Sequence, residues 1–115
     1  MNVIPITRNN DFLRLYRKGK TKSDPSVVIY LLPNKLGVTR LGLTTSKKIG
    51  NAVARNRARR VMRVAIKEAL PLLNGSYDIV LVARTRTTLI KSTALTSILT
   101  AQLEKLGALQ SNEKE

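Results

Sequence analysis

Between Lys47 and Lys67 the sequence gathers five arginines, Arg55, Arg57, Arg59, Arg60 and Arg63, and no acidic residue. A guanidinium group is planar and permanently charged, and it can bridge two phosphate oxygens or lie flat on a base. The chemistry on offer is therefore the binding of a polyanion. Lys47 and Lys48 stand just ahead of this run, where the free amides of a helix's first turn also favour an anion. Bond-breaking chemistry has little to use. The chain has no cysteine and no histidine, which excludes disulfides, thiolates, imidazole bases and imidazole ligands together. Its acids, Asp11, Asp24, Glu68, Asp78, Glu104, Glu113 and Glu115, are scattered without the spacing of a metal site.

The same segment carries the period of a helix. Gly50-Asn51 opens it, with Asn51 as the cap, and it runs to about Leu70, where Pro71 disfavours continuation. At helical spacing Ala54, Ala58, Val61, Ala65 and Ala69 form one stripe, small enough to let the backbone lie close on a sheet. Asn56, Arg60, Arg63 and Lys67 form a second stripe with Arg59 at its shoulder, and Arg55 and Arg57 widen the basic surface. Basic residues often serve only to solvate an exposed helix, but such a face normally mixes signs and gains acid–base pairs. Here the arginines repel one another unless an anion lies between them.

The elements around this helix are legible in outline. A first short helix places Phe12, Leu15 and Tyr16 on one face, with Thr7 or Asn10 as cap and Gly19 at its end. A polar stretch from Lys18 to Pro25 leads into a strand from Ser26 to Leu32, and the turn residues Pro33 to Gly37 predict a hairpin with a strand from Thr39 to Ser46. After Asn74-Gly75, the apolar run Ile79 to Ala83 fits a strand covered on both faces. The last helix takes Ser92 or Thr93 as cap, carries Leu95, Ile98, Leu99, Leu103 and Leu106, and ends at Gly107. The order α-β-β-α-β-α implies an α+β sandwich, one domain over residues 1–109 with a frayed polar tail at 110–115.

Charge narrows the partner. The chain of 115 residues has 21 Lys plus Arg against 7 Asp plus Glu, a net charge of +14. No apolar run approaches the ~20 residues of a membrane span, and Met1 to Pro5 lacks the form of a secretory leader. The expectation is a soluble cytoplasmic protein whose polyanion is a nucleic acid and not a membrane.

The string Lys-Lys-Ile-Gly-Asn-Ala-Val-x-Arg-Asn-Arg-x-x-Arg-x-x-Arg, from Lys47 to Arg63, resembles the signature of the bacterial ribonuclease P protein family. The resemblance extends to Asp11-Phe12 with Tyr16, the Tyr30 strand, Leu41-Gly42-Leu43, and Tyr77-Asp78 before the strand from Ile79, and it fades after Arg86. It implies a protein that performs no chemistry itself and has no catalytic or metal-ligating residue. A large RNA holds the Mg²⁺ and cleaves precursor tRNA to free its mature 5′ end, while the protein supports that RNA, binds the 5′ leader and broadens the range of substrates. By this resemblance Lys47, Lys48, Asn51, Arg55, Asn56, Arg57, Arg59, Arg60 and Arg63 contact the catalytic RNA. The leader lies in a cleft between the first helix, the sheet face and the Arg-rich helix, lined by Phe12, Tyr16, Val28, Tyr30, Thr44, Asn56, Arg60 and Arg63. Tyr16 stands where the family more often has phenylalanine. The resemblance also implies a ribosomal-protein-like fold with a left-handed β-α-β crossover through the Arg-rich helix, against the usual hand.

Three other readings share some of these features. A ribosomal or other structural RNA-binding protein has the same size, charge and basic helix, but no need for stacking aromatics beside it. The aromatics in turn fit an ordinary core if the family is set aside. An unaided nuclease lacks the side chains, and a DNA-binding regulator lacks a two-helix reading unit or a dimer seam.

Overall fold

A computed structural model describes residues 3–110. Five strands, β1 (Val3–Pro5), β2 (Lys20–Asp24), β3 (Val27–Pro33), β4 (Thr39–Thr44) and β5 (Tyr77–Ala83), form one sheet in the order β1-β4-β5-β3-β2. Three helices accompany it, α1 (Asn9–Lys18), α2 (Ala52–Ala69) and α3 (Ser92–Lys105). The α+β class stands, with two strands more than the sequence pattern revealed.

Alternation along β3 explains the layering. Val27, Ile29 and Leu31 point to one face, where Ile79 and Leu81 of β5 join them under α2 and α3 to make the main core. Val28, Tyr30 and Leu32 point to the other, where a smaller cluster of Ile6, Leu15 and Val80 forms beneath α1. β5 supplies both cores and is central, as its unbroken apolar run predicts.

That central place overturns the expected hairpin. β3 and β4 do not pair; β5 lies between them, antiparallel to β3 and parallel to β4. The turn after β3 wraps the start of β5 instead of folding back on β3. Asn34 N–H donates to the Ser76 carbonyl (3.1 Å), and Asn34 Nδ2 donates to the Asp78 carboxylate (2.8 Å). The real hairpin joins β2 to β3, turning where the Asp24 carboxylate accepts from Ser26 N–H at 2.8 Å. β2 was hidden because Lys20-Thr21-Lys22-Ser23-Asp24 is polar throughout, as suits an exposed sheet edge. β1 was also missed; it pairs parallel to β4 at the opposite edge.

The helix ends are mixed. Gly19 N–H closes α1 on the Leu15 carbonyl (2.8 Å), but Arg8 occupies the N-cap with no side-chain bond, so neither Thr7 nor Asn10 serves. Likewise Lys91 precedes α3, and neither Ser92 nor Thr93 caps it, while Gly107 follows its end as expected. Gln110 is held by its N–H on the Leu72 carbonyl (2.8 Å). Residues 111–115, the rest of the expected tail, lie outside the described residues.

Candidate nucleic-acid interface

α2 begins where the sequence says. Asn51 Oδ1 accepts from Ala54 N–H (2.9 Å), satisfying one of the free amides of the first turn. Gly50, just before, has φ +137°, a backbone conformation that side-chain-bearing residues rarely adopt. Together they turn the chain sharply from the short 3₁₀ turn Lys47–Ile49 into the helix. Ala58, Ala65 and Ala69 are fully buried as the stripe predicts, with Ala54 and Val61 half-buried beside them. The buried face is wider than the stripe, because Met62 and Ile66 also fill the core.

Lys47, Lys48, Asn51, Asn56, Arg57, Arg60 and Arg63 are exposed, and Arg55 and Arg59 are half-buried. Several of these side chains are held by the protein. Arg55 Nη1 donates to the Gly50 carbonyl (2.7 Å), Arg57 Nε to the Thr88 carbonyl (3.0 Å), and Arg59 Nη1 to Asn56 Oδ1 (3.2 Å). The acceptors are neutral. The only ion pairs among the described residues are those of Arg40, so none of the α2 arginines has a carboxylate partner there.

The aromatic surface lies on the other side of the sheet. Tyr16 meets Tyr30 edge-on with ring centroids 4.9 Å apart, and Phe12 lies 6.5 Å from Tyr16. Tyr16 is 40% exposed, and Phe12 and Tyr30 are half-buried, so each ring keeps some accessible surface. The register aligns Val28, Val82 and Thr44 in one row and Tyr30, Val80 and Gly42 in the next, all half-buried except Val80 and Gly42. Gly42 leaves room for the Phe12 ring, since a Cβ there would lie 2.7 Å from it and displace it.

The expected leader set is therefore split. Phe12, Tyr16, Val28, Tyr30 and Thr44 share one sheet face, whereas α2, with Asn56, Arg60 and Arg63, packs against the opposite one. The two meet at the β1–β4 edge. There a groove of about 520 Å³ is lined by Phe12 and Gly42 on one side and by Arg59, Arg63 and Lys67 on the other, over Leu41 and Leu43. Among the described residues no hydrogen bond joins Asn56 or Arg60 to Tyr16 or Tyr30, and neither Asn56 nor Arg60 lines the edge groove.

One polar cluster escaped the sequence reading. Arg40 in β4 binds the Asp78 carboxylate through Nε (2.8 Å) and Nη2 (2.6 Å), and reaches Asp11 in α1 through Nη1 (3.2 Å). Burial alone would raise the Asp78 carboxyl, but hydrogen bonds from Arg40 and Asn34, with the charges of Arg40 and Arg14, hold it below the usual carboxylate range. The Asp78 hydrogen bond likewise raises Arg40 above its ordinary value against the opposing effect of burial. The only hint in the sequence was the pair Tyr77-Asp78 leading into an apolar strand, with no sign of its partner.

Residues 3–107 match the family model described as Ribonuclease P. The chain is 40% identical over 84 residues to the ribonuclease P protein component of Clostridioides difficile, covering 69% of this chain and 70% of that protein. It is 42% identical over 79 residues to that of Pelotomaculum thermopropionicum, covering 69% and 70% respectively. A solved structure of the Staphylococcus aureus RNase P protein superposes with a TM-score of 0.80 at 30% identity, over 95% of this chain and 100% of that one. No helix among the described residues is long and apolar enough to cross a membrane.

Proposed function

Because this chain belongs to the ribonuclease P protein family, we propose that it acts as the protein subunit of the holoenzyme that removes the 5′ leader of precursor tRNA. On this reading the RNA subunit holds the Mg²⁺ and cleaves the phosphodiester bond, and the protein binds and orients. The observation that carries it is the α2 surface: an acid-free array of arginines, several fixed by neutral carbonyl or amide acceptors, none paired with a carboxylate among the described residues. Such an array is strained by self-repulsion until phosphates occupy it. Neutral acceptors orient a guanidinium without cancelling its charge, which favours reading the shape of a folded RNA over reading its bases.

The aromatic face takes the second partner. Bases of a single-stranded leader stack on Tyr16 and Tyr30, over the half-buried Val28 and Thr44, and its backbone passes the β1–β4 edge beside Arg59 and Arg63. The edge groove supports this path because it is the place where an aromatic ring and the α2 arginines border one space. Asn56 and Arg60, away from that groove, then bind the catalytic RNA more than the leader.

The test is cleavage of labelled precursor tRNA at low Mg²⁺ by a bacterial ribonuclease P RNA, with and without this protein, and by the protein alone. Stimulation in the combined reaction only is the expected outcome. Cleavage by the protein alone would make it a nuclease in its own right, and RNA binding without stimulation would favour a structural RNA-binding role.

A further inference from the structure

α1 carries Phe12 and Tyr16, yet it is lightly held. Leu15 is the single fully buried residue on it, Leu13 and Tyr16 are exposed, and its N-terminus has no side-chain cap. The cluster beneath it contains only Ile6, Leu15 and Val80 as buried members. With the half-buried Phe12, Tyr30, Leu32 and Val82 packed around it, this small cluster is the main apolar hold on the rotation of a ten-residue helix. A roll of one residue's width would carry Tyr16 away from Tyr30, because the two rings meet edge-on at 4.9 Å.

The polar cluster supplies what the packing lacks. Asp78 and Arg40 are register partners on neighbouring strands, so the bidentate bond between them fixes the guanidinium plane to the sheet. Nη1, the remaining arm, points at Asp11, the residue before Phe12. Side-chain exposure falls from 23% at Asp11 through 18% at Arg40 to 5% at Asp78, so the clamp runs from the helix surface into the sheet.

We propose that Arg40 and Asp11 are positioning residues for leader recognition: the guanidinium anchored on Asp78 holds α1, through Asp11, in the rotation that presents Phe12 and Tyr16 beside Tyr30. This inference rests on the leader-binding reading above. It makes a prediction opposite in sign to simple electrostatics. Asp11 is an acid beside a surface that receives a polyanion, so charge alone says that removing it strengthens binding. The clamp says that removing it weakens binding of the leader.

Asp11→Ala and Asp11→Asn separate the two effects. Both remove the negative charge and its interaction with the helix N-terminus, but only asparagine keeps an oxygen that can accept from Arg40 Nη1. Both leave the Arg40–Asp78 pair intact. The measurement is the affinity of the reconstituted holoenzyme, native RNA subunit plus each protein, for precursor and for mature tRNA. In Asp11→Ala the preference for precursor falls by about fivefold or more, the scale of one lost hydrogen bond. In Asp11→Asn it stays within about twofold of the original, and mature tRNA binds equally to all three. Amide hydrogen exchange in α1 quickens in the alanine variant relative to the asparagine one, while α2 and α3 do not change. An alanine variant that keeps or improves the preference, or an asparagine variant that loses as much as alanine, would overturn the clamp alone. A native holoenzyme without any preference for precursor would instead sink the leader reading, and this inference with it.

Discussion

Arg57 and Arg60 lie within one turn of the same helix but differ in what they hold. Arg57 gives its Nε to the Thr88 carbonyl, tying α2 to the 3₁₀ turn Thr85–Thr88, whereas Arg60 is exposed to solvent. Arg60→Ala is thus expected to weaken association with the RNA subunit and lower the salt slope by about 0.7–0.9 per lost phosphate contact, with thermal stability unchanged. Arg57→Ala should do the same and also cost about 0.5–1.5 kcal/mol of stability through the lost hydrogen bond; titrations across a range of KCl and thermal melts distinguish the two. Tyr30→Ala is expected to reduce precursor affinity by about 1–3 kcal/mol per unstacked base while sparing mature tRNA. Equal losses for both tRNAs would remove Tyr30 from the leader surface. The arginines stand out in the sequence because no acid accompanies them, whereas the aromatics were singled out only by the family resemblance, since their residue types alone fit an ordinary core. Arg40 was unreadable because its partners are distant in sequence: Asp78, 38 residues away, meets it through strand register, and Asp11, 29 residues away, through the placement of α1 on the sheet.

Among the elements, α2 was the most legible, because its cap, its small-residue stripe and its length all agree on one helix. Asn51→Ala removes that cap and is expected to destabilise the protein by about 1 kcal/mol, measurable by denaturant unfolding in a fixed buffer. It should also weaken RNA binding, since the first turn of α2 would fray under Arg55. The strands were less legible. Ile79 to Ala83 declared itself central by being apolar on both faces, but strand adjacency depends on which edges remain free, and local turn residues do not encode that. Hence a plausible turn after β3 led to the wrong partner, and the hairpin that does form was concealed by the polarity of β2.

The net charge of +14 acts on the molecule as a whole. Self-repulsion opposes the compact state, so sulfate or phosphate should raise the melting temperature beyond what chloride does at equal ionic strength. Acid should act in the other direction through Asp78. Its carboxyl is held below its unfolded value near 3.8, so the folded state favours the ionised form. That contribution is complete above the unfolded value and is lost as pH falls through the lower folded one. Asp78→Asn is therefore expected to be less stable at neutral pH yet to show a flatter decline below about pH 4, as followed by circular dichroism against pH. Charge, class and helix count were available from sequence because they are sums over the chain, whereas the strand order is not. That order also bears on synthesis. β5 is the last strand made and the one that joins β3 to β4. A nascent chain that has emerged only as far as Gly75 holds two unjoined strand pairs with exposed edges and half a core, so it should stay protease-sensitive on the ribosome. Folding must wait for Ala83 to clear the exit, by which time the whole arginine helix is already outside and open to whatever RNA is nearby.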